Sequence, residues 1–188
     1  MVNETYFTAF PLLETERLVL RAATLEDAAA LQSIRTNPEV MQYMDTFYHD
    51  ALQVSKDFIS YNIEGFANKK VIYWMIEEKA SGKTIGDFSF WKIDSKHHRS
   101  EIGYTLDPNY WGKGYMKEAM LRLFSFGFKD FNLHSFEANI NPKNDKSKRI
   151  LLKLGFQKEA YFRENFFYNG EYLDSEIYCL LEKDFIAS

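Results

Sequence analysis

The stretch Glu101 to Ala119, EIGYTLDPNYWGKGYMKEA, constrains this chain more than any other. Its first residues alternate as a strand does, Pro108 interrupts the alternation, and Gly112 and Gly114 stand one residue apart. An amphipathic helix then begins: Met116, Ala119, Met120, Leu123 and Phe124 form an apolar stripe with Lys117, Glu118 and Arg122 opposite. A strand feeding a helix start through glycines leaves four backbone N–H groups without helical partners, at the positive end of the helix dipole. Because glycine has no side chain, an anion such as a diphosphate can approach that backbone closely. A tight strand-to-helix turn with no ligand has the same local pattern.

Two nucleotide-binding readings fail on spacing. A dinucleotide fingerprint needs a third glycine where Lys117 stands and belongs after the first strand, whereas this loop comes late in the chain. The P-loop pattern of a second glycine followed by Lys and Ser or Thr is absent.

The rest of the chain reads as one domain, since neither a repeat nor a Gly/Ser/Pro linker divides its 188 residues. ERLVLR, Glu16 to Arg21, suits a first strand. Thr24 and Asp27 can cap a helix from about Leu25 to Arg35, and a second helix runs roughly from Ala51 to Phe66. Strands are expected at Val71–Glu77, Ile85–Ile93 and Arg99–Leu106, with a turn at Gly82-Lys83. Beyond the glycine loop and its helix come a strand at Ser135–Asn141 and a helix at Asn144–Leu154. Two last strands lie near Phe156–Phe162 and Tyr172–Leu181. This order predicts an α/β (α+β) fold: a mixed, mostly antiparallel sheet of about seven strands, flanked by about four helices.

Charge and composition exclude several classes. The net charge of −4 gives no general attraction to nucleic acid, and scattered lysines add little. No apolar run nears the roughly 18 residues of a membrane span, and Met1 to Pro11 lacks a basic segment followed by an apolar one. A cytoplasmic location is therefore expected. The lone Cys179 excludes an internal disulfide and a multi-cysteine metal site. His97-His98 suits a hairpin tip better than a metal site, for no third ligand stands at metal spacing. His49 and His134 are isolated in sequence. No metal is expected.

Asn109-Tyr110-Trp111-Gly112-Lys113-Gly114 resembles the pyrophosphate loop of the GNAT acetyltransferases, [Q/R]-x-x-G-x-[G/A]. The flanking EIGY, the YWGKGY and the following EA resemble their RimJ/RimL-like branch in particular. So do Asn141 to Ser147 running into Lys153-Leu154-Gly155-Phe156, the opening LETERLVLR, and the segment Gly170 to Asp174 with Tyr178. The likeness spans roughly Leu13 to Phe185. It implies a GNAT-like domain whose splayed strand pair forms a cleft for CoA. The activity it implies is transfer of an acetyl group from acetyl-CoA to an amine, by direct attack in a ternary complex.

That resemblance carries roles onto particular residues. The N–H groups from Gly112 through Lys113, Gly114 and Tyr115 to Met116 are expected on the pyrophosphate. Asn109 departs from the usual Gln or Arg, which leaves one charge-assisted contact weaker or absent, with Lys113 or Lys117 as the nearby cations that could compensate. The pantothenate arm is expected along Tyr104, Thr105 and Leu106, as an added strand would lie, with a backbone N–H near Leu106 serving the thioester oxygen. Asn144 is expected at the cofactor, and it also reads as a helix N-cap. Ser147 shares a helix face with Ile150, Leu151 and Leu154, and the resemblance places it near the CoA sulfur as the thiolate's partner. Many family members use a tyrosine seven residues after the asparagine, where this chain has Leu151.

For the base that takes the amine proton, Glu101 ranks first, Glu137 second and Glu164 third. Glu101 shares a strand face with Gly103 and Thr105. Asp174 matches a family position and suits a structural role equally well. Acceptor specificity is expected from residues 39–66 and 163–172, which carry Tyr43, Phe47, Tyr48, Asp50, Phe166 and Phe167. The acceptor implied is a protein N-terminal amine, with polyamines or aminoglycosides as the alternative. A non-catalytic acyl-CoA-binding module is the reading from another class. Monomer and homodimer both remain open.

Overall fold

The computed structural model describes residues 1–185. Its strands are β1 (Leu13–Glu14), β2 (Leu18–Ala22), β3 (Ile72–Glu78), β4 (Lys83–Asp94), β5 (Arg99–Leu106), β6 (Ser135–Ile140), β7 (Gln157–Tyr168) and β8 (Glu171–Leu181). The helices are α1 (Ala28–Arg35), α2 (Pro38–Met41), α3 (Leu52–Ala67), α4 (Tyr115–Lys129) and α5 (Asp145–Lys153). The strands form one sheet in the order β1-β2-β3-β4-β5-β6-β8-β7. The expected architecture is the one found. The two elements beyond those expected, β1 and α2, are only two and four residues long, too short to show a period. The first helix also begins differently: Leu25–Asp27 is a 3-10 turn ahead of α1, with the Thr24 N–H donating to Asp27 Oδ2 at 2.9 Å.

Strand alternation sorts the core onto two faces. Trp74, Ile76, Phe88, Phe90 and Ile102 point to one side, where Phe124 of α4 and Phe136 of β6 complete the larger cluster. Tyr73 and Met75 point to the other, against Leu31 of α1 and Ile59 of α3. Aromatic rings fill the first face, Phe90 and Phe124 each lying 4.8 Å from Phe136 between centroids and tilted 41° to it.

One pair breaks the antiparallel pattern. β5 and β6 run parallel and are paired only through Arg99–Ser135, Ser100–Phe136 and Glu101–Glu137. Beyond Glu101, β5 stays registered on β4 as far as Gly86–Leu106, and β6 stays on β8 as far as Ile140–Glu176. Each strand is committed to its other neighbour, so the two part and a wedge opens in the middle of the sheet.

Candidate active site

The glycine loop lies beside that wedge. A 3-10 turn at Pro108–Tyr110 follows β5, and Gly112 and Gly114 then take left-handed φ values of 73° and 83°. Gly114 is the residue before α4, so the free N–H groups of a 15-residue helix start there. Space is open at Gly112, where an added Cβ would meet nothing within 4 Å. A staple from the β1–β2 turn fixes the helix start. Glu118 of α4 accepts from Thr15 Oγ1 at 2.5 Å, from the Arg17 backbone N–H at 2.9 Å and from Arg17 Nε at 2.6 Å. The Arg17 guanidinium also donates to the Lys113 carbonyl at 3.1 Å and lies 4.2 Å over the Tyr115 ring. The Tyr115 hydroxyl in turn donates to Glu78.

The wedge offers unpaired main chain. Across the Gly86–Leu106 pair the Asp107 N–H donates to the Ile85 carbonyl at 2.8 Å. That bond makes Leu106 a member of a non-hydrogen-bonded pair, so its own N–H and C=O, and those of Tyr104 two residues back, point away from β4 toward the opening. The Leu106 carbonyl is taken by Trp111 Nε1 at 2.8 Å, which leaves its N–H facing the wedge.

A cleft of about 1170 Å³ begins at this opening and runs along the α1/α3 side of the sheet. Tyr104, Asn144 and Ser147 line one end. Asn144 caps α5 by accepting from the Ser147 N–H at 3.1 Å, and the Tyr104 hydroxyl donates to Ser147 Oγ at 3.1 Å. Tyr104 stacks on Phe88 with centroids 5.9 Å apart, and burial pushes its phenol up to about 12. Glu101 also lines the cleft, buried, with Lys92 Nζ donating to it at 2.7 Å. Burial raises its pKa above the ordinary carboxylate value, while Lys92 pulls it back. Deeper in, Arg35 Nη2 donates to Asp87 at 3.1 Å, and Asp87 also accepts from Thr105.

A family model described as an acetyltransferase (GNAT) domain matches residues 17–157. The chain belongs to the GNAT acetyltransferase family. It is 34% identical over 173 residues to an uncharacterized N-acetyltransferase, YoaA, of Bacillus subtilis, covering 92% of this chain and 98% of that one. It is 25% identical over 168 residues to the spermidine N(1)-acetyltransferase of Escherichia coli K12, covering 89% of this chain and 88% of that one. Among solved structures it resembles a ribosomal-protein-S5-alanine acetyltransferase from Vibrio fischeri, with 26% identity, a TM-score of 0.81, and coverage of 94% and 99%.

Of the expected site residues, Glu101, Tyr104, Asn144 and Ser147 line the cleft, and several others stand elsewhere. Asn109 is turned onto the preceding loop, its side-chain amide donating to Asp107 Oδ1 at 2.9 Å. Lys113 lies 5.7 Å over the Tyr110 ring. Glu137 pairs with Arg99 and does not line the cleft, although its backbone is registered beside Glu101. Glu164 sits on a bulge of the exposed β7, its N–H donating to Asp174 Oδ1 at 2.8 Å. Asp174 also accepts from the Tyr161 hydroxyl, which is a structural use. Of the acceptor-side residues, Tyr43 lines the cleft. Phe47, Phe166 and Phe167 are exposed outside it, and Tyr48 and Asp50 do not line it either. His49, isolated in sequence, is buried and shares a 2.9 Å hydrogen bond with Ser55. His97 and His98 occupy the β4–β5 tip, and Cys179 is buried, its thiol pushed up to about 12 by burial.

Sequence reasoning missed Arg35, Tyr73, Asp87, Trp91 and Lys92, all on the cleft. Three of these were within reach, because the β4–β5 register places Asp87 and Trp91 on the face of Glu101, and Tyr73 follows from β3. Arg35 was not, since nothing local marks a helix C-terminal arginine as buried. Among the described residues no group of three potential metal ligands gathers, and no helix is long and apolar enough to cross a membrane.

Proposed function

We propose that residues 1–188 work as a single N-acetyltransferase domain of the RimJ/RimL-like kind, transferring the acetyl group of acetyl-CoA to a protein N-terminal α-amine. The observation that carries this reading is the junction of three features: an open glycine loop on a helix start, strand edges that face a wedge, and a cleft holding both a hydroxyl pair and a buried carboxylate.

The residues present fit the carrier. The N–H groups from Gly112 to Met116 hold the diphosphate, and the open space at Gly112 leaves room for it. The main chain at Tyr104 to Leu106 pairs with the amide arm as an added strand. Bound acetyl-CoA supplies an activated thioester. The protein positions the two reactants, and the Leu106 N–H is aimed where negative charge develops on the acyl oxygen. Glu101, its pKa raised by burial, takes the amine proton directly or through water. Ser147 offers a proton to the departing sulfur.

Charge around the cleft supports a peptide acceptor. Its lining holds four carboxylates, Glu4, Asp87, Asp94 and Glu101, against four cations, Arg35, Lys69, Lys70 and Lys92. Three pairs cancel locally: Lys92–Glu101, Lys69–Glu4 and Arg35–Asp87. A polycation gains little from a balanced wall, whereas a peptide carrying one charged amine and many amides needs no excess of acid. The length of the cleft, from Ser147 to Glu4 and Lys69, suits an extended chain. The alternative is a polyamine acceptor, which the likeness to a spermidine acetyltransferase keeps in play.

The test is CoA release on a panel of peptides with free N-termini, the same peptides N-acetylated, and spermidine. Faster turnover on free peptides is expected. Turnover on spermidine alone would move the acceptor to the second reading. Acetyl-CoA binding with no turnover on any amine would favour a regulatory acyl-CoA-binding module.

A further inference from the structure

Ser147 does not stand alone at the end of the cleft. The Tyr104 hydroxyl donates to its Oγ at 3.1 Å, and the Ser147 N–H is itself held by Asn144 Oδ1 at 3.1 Å. A serine oxygen that already accepts a hydrogen bond turns its own proton elsewhere, and Tyr104 and Ser147 are both among the residues that line the cleft. Tyr104 comes from β5 and Ser147 from α5, so the pair spans the wedge between the strand that flanks the opening and the helix that follows β6. The Tyr104 ring lies parallel to Phe88 with centroids 5.9 Å apart, which restricts where its hydroxyl can sit. The family's tyrosine seven residues after the asparagine is Leu151 here, fully buried in the core, so no phenol reaches the cleft from that position.

We infer that Tyr104 is a positioning residue for the leaving group: its hydroxyl orients Ser147 so that the serine proton faces the CoA sulfur, and Ser147, polarised by the bond it accepts from Tyr104, stabilises the thiolate as a hydrogen-bond donor. This rests on the acetyl-CoA reading above. The proton-donor role given to Ser147 is thereby narrowed. A thiol ionises near 8.5, well below either hydroxyl, so complete transfer of a proton from Ser147 to the thiolate runs uphill, whereas a charge-assisted hydrogen bond to it is favourable. Tyr104 stays protonated throughout the working range, its phenol pushed up to about 12 by burial. No bond is made or broken in the pair: the C–S bond breaks, the sulfur keeps the electron pair, and both hydroxyl protons remain in place.

The test needs no acceptor. Free CoA is bound to the full chain, and ionisation of its thiol is followed by the ultraviolet absorbance of the thiolate in wild type, Tyr104→Phe, Ser147→Ala and the double variant. Phenylalanine keeps the stack on Phe88, and Ser147→Ala removes the relay without touching β5. Glu101, which faces the same cleft and opposes thiolate formation, is constant across all four proteins. The bound thiol is expected to ionise about one pKa unit lower in wild type than in Tyr104→Phe, a tenfold change in ionisation. Ser147→Ala and the double variant are expected to match each other, because Tyr104 acts through Ser147. Equal thiol pKa in wild type and Tyr104→Phe would overturn the inference and leave the cofactor reading intact. An effect of Tyr104→Phe that persists without Ser147 would overturn the relay. Failure of CoA to bind wild type would remove the cofactor reading and this inference with it.

Discussion

Glu101 is the residue on which the proposed chemistry turns. Only its ionised form accepts a proton, and burial has raised its pKa, so kcat should climb with pH through a value above the usual carboxylate range. Glu101→Gln is expected to remove that rising limb and lower kcat by about 10²-fold. Lys92→Met removes the cation that pulls the pKa back, so the limb should move to higher pH; pH–rate profiles of the two variants check both signs. A second residue reads the fold rather than the reaction. Burial, aided by the Arg35 cation, holds the His49 imidazole down at about 4, whereas in the unfolded chain it protonates near 6.5. Its contribution to stability is complete above 6.5 and is lost as the pH falls toward 4, amounting to about 2 kcal/mol by pH 5. Denaturant titrations at pH 7 and 5 should show the loss, and His49→Gln should shrink it. Glu101 was legible as a candidate from strand parity alone. The Lys92 that tunes it was not, because Lys92 takes a φ of 48° at the bulged end of β4 and so escapes the alternation.

At the scale of elements, α4 sets both the loop and the core. Its N-terminus is positioned by Arg17 and Thr15 through Glu118, and its body packs on β6 where Gly127 meets Phe136. A Cβ built at Gly127 would lie 2.3 Å from Phe136 Cζ, and the ring, fully buried among Phe90, Phe124 and Phe128, has nowhere to go. Gly127→Ala should therefore destabilise the protein by about 1–3 kcal/mol, read as an earlier midpoint in urea. The helix itself was plain from its stripe of Met116, Ala119, Met120, Leu123 and Phe124. Its staple was hidden, since Arg17 and Glu118 are 101 residues apart and each has the ordinary look of a surface charge. Separation in sequence, here 43 residues, also hid the Tyr104–Ser147 pair, although each residue was singled out for a different reason.

Over the whole molecule, the order of strands and helices was readable because most elements carry long, regular patterns. The wedge was not derivable from periodicity; it arises because β5 and β6 each answer to a different neighbour, and a family resemblance was needed to expect it. The cleft's charge balance was likewise invisible, for it depends on which side chains the folded sheet brings to one wall. Everything proposed for this fold depends on the main chain around Gly112 and Gly114 gripping the diphosphate of acetyl-CoA. Calorimetric titration of acetyl-CoA into wild type and Gly114→Glu tests that most directly. The account predicts saturable one-site binding to wild type. It predicts binding weakened by at least about tenfold in the variant, where a carboxylate is added at the left-handed residue before the helix, its Cβ 3.5 Å from Arg17 Nη2. Equal affinity in the two proteins, or no binding to wild type, would contradict it.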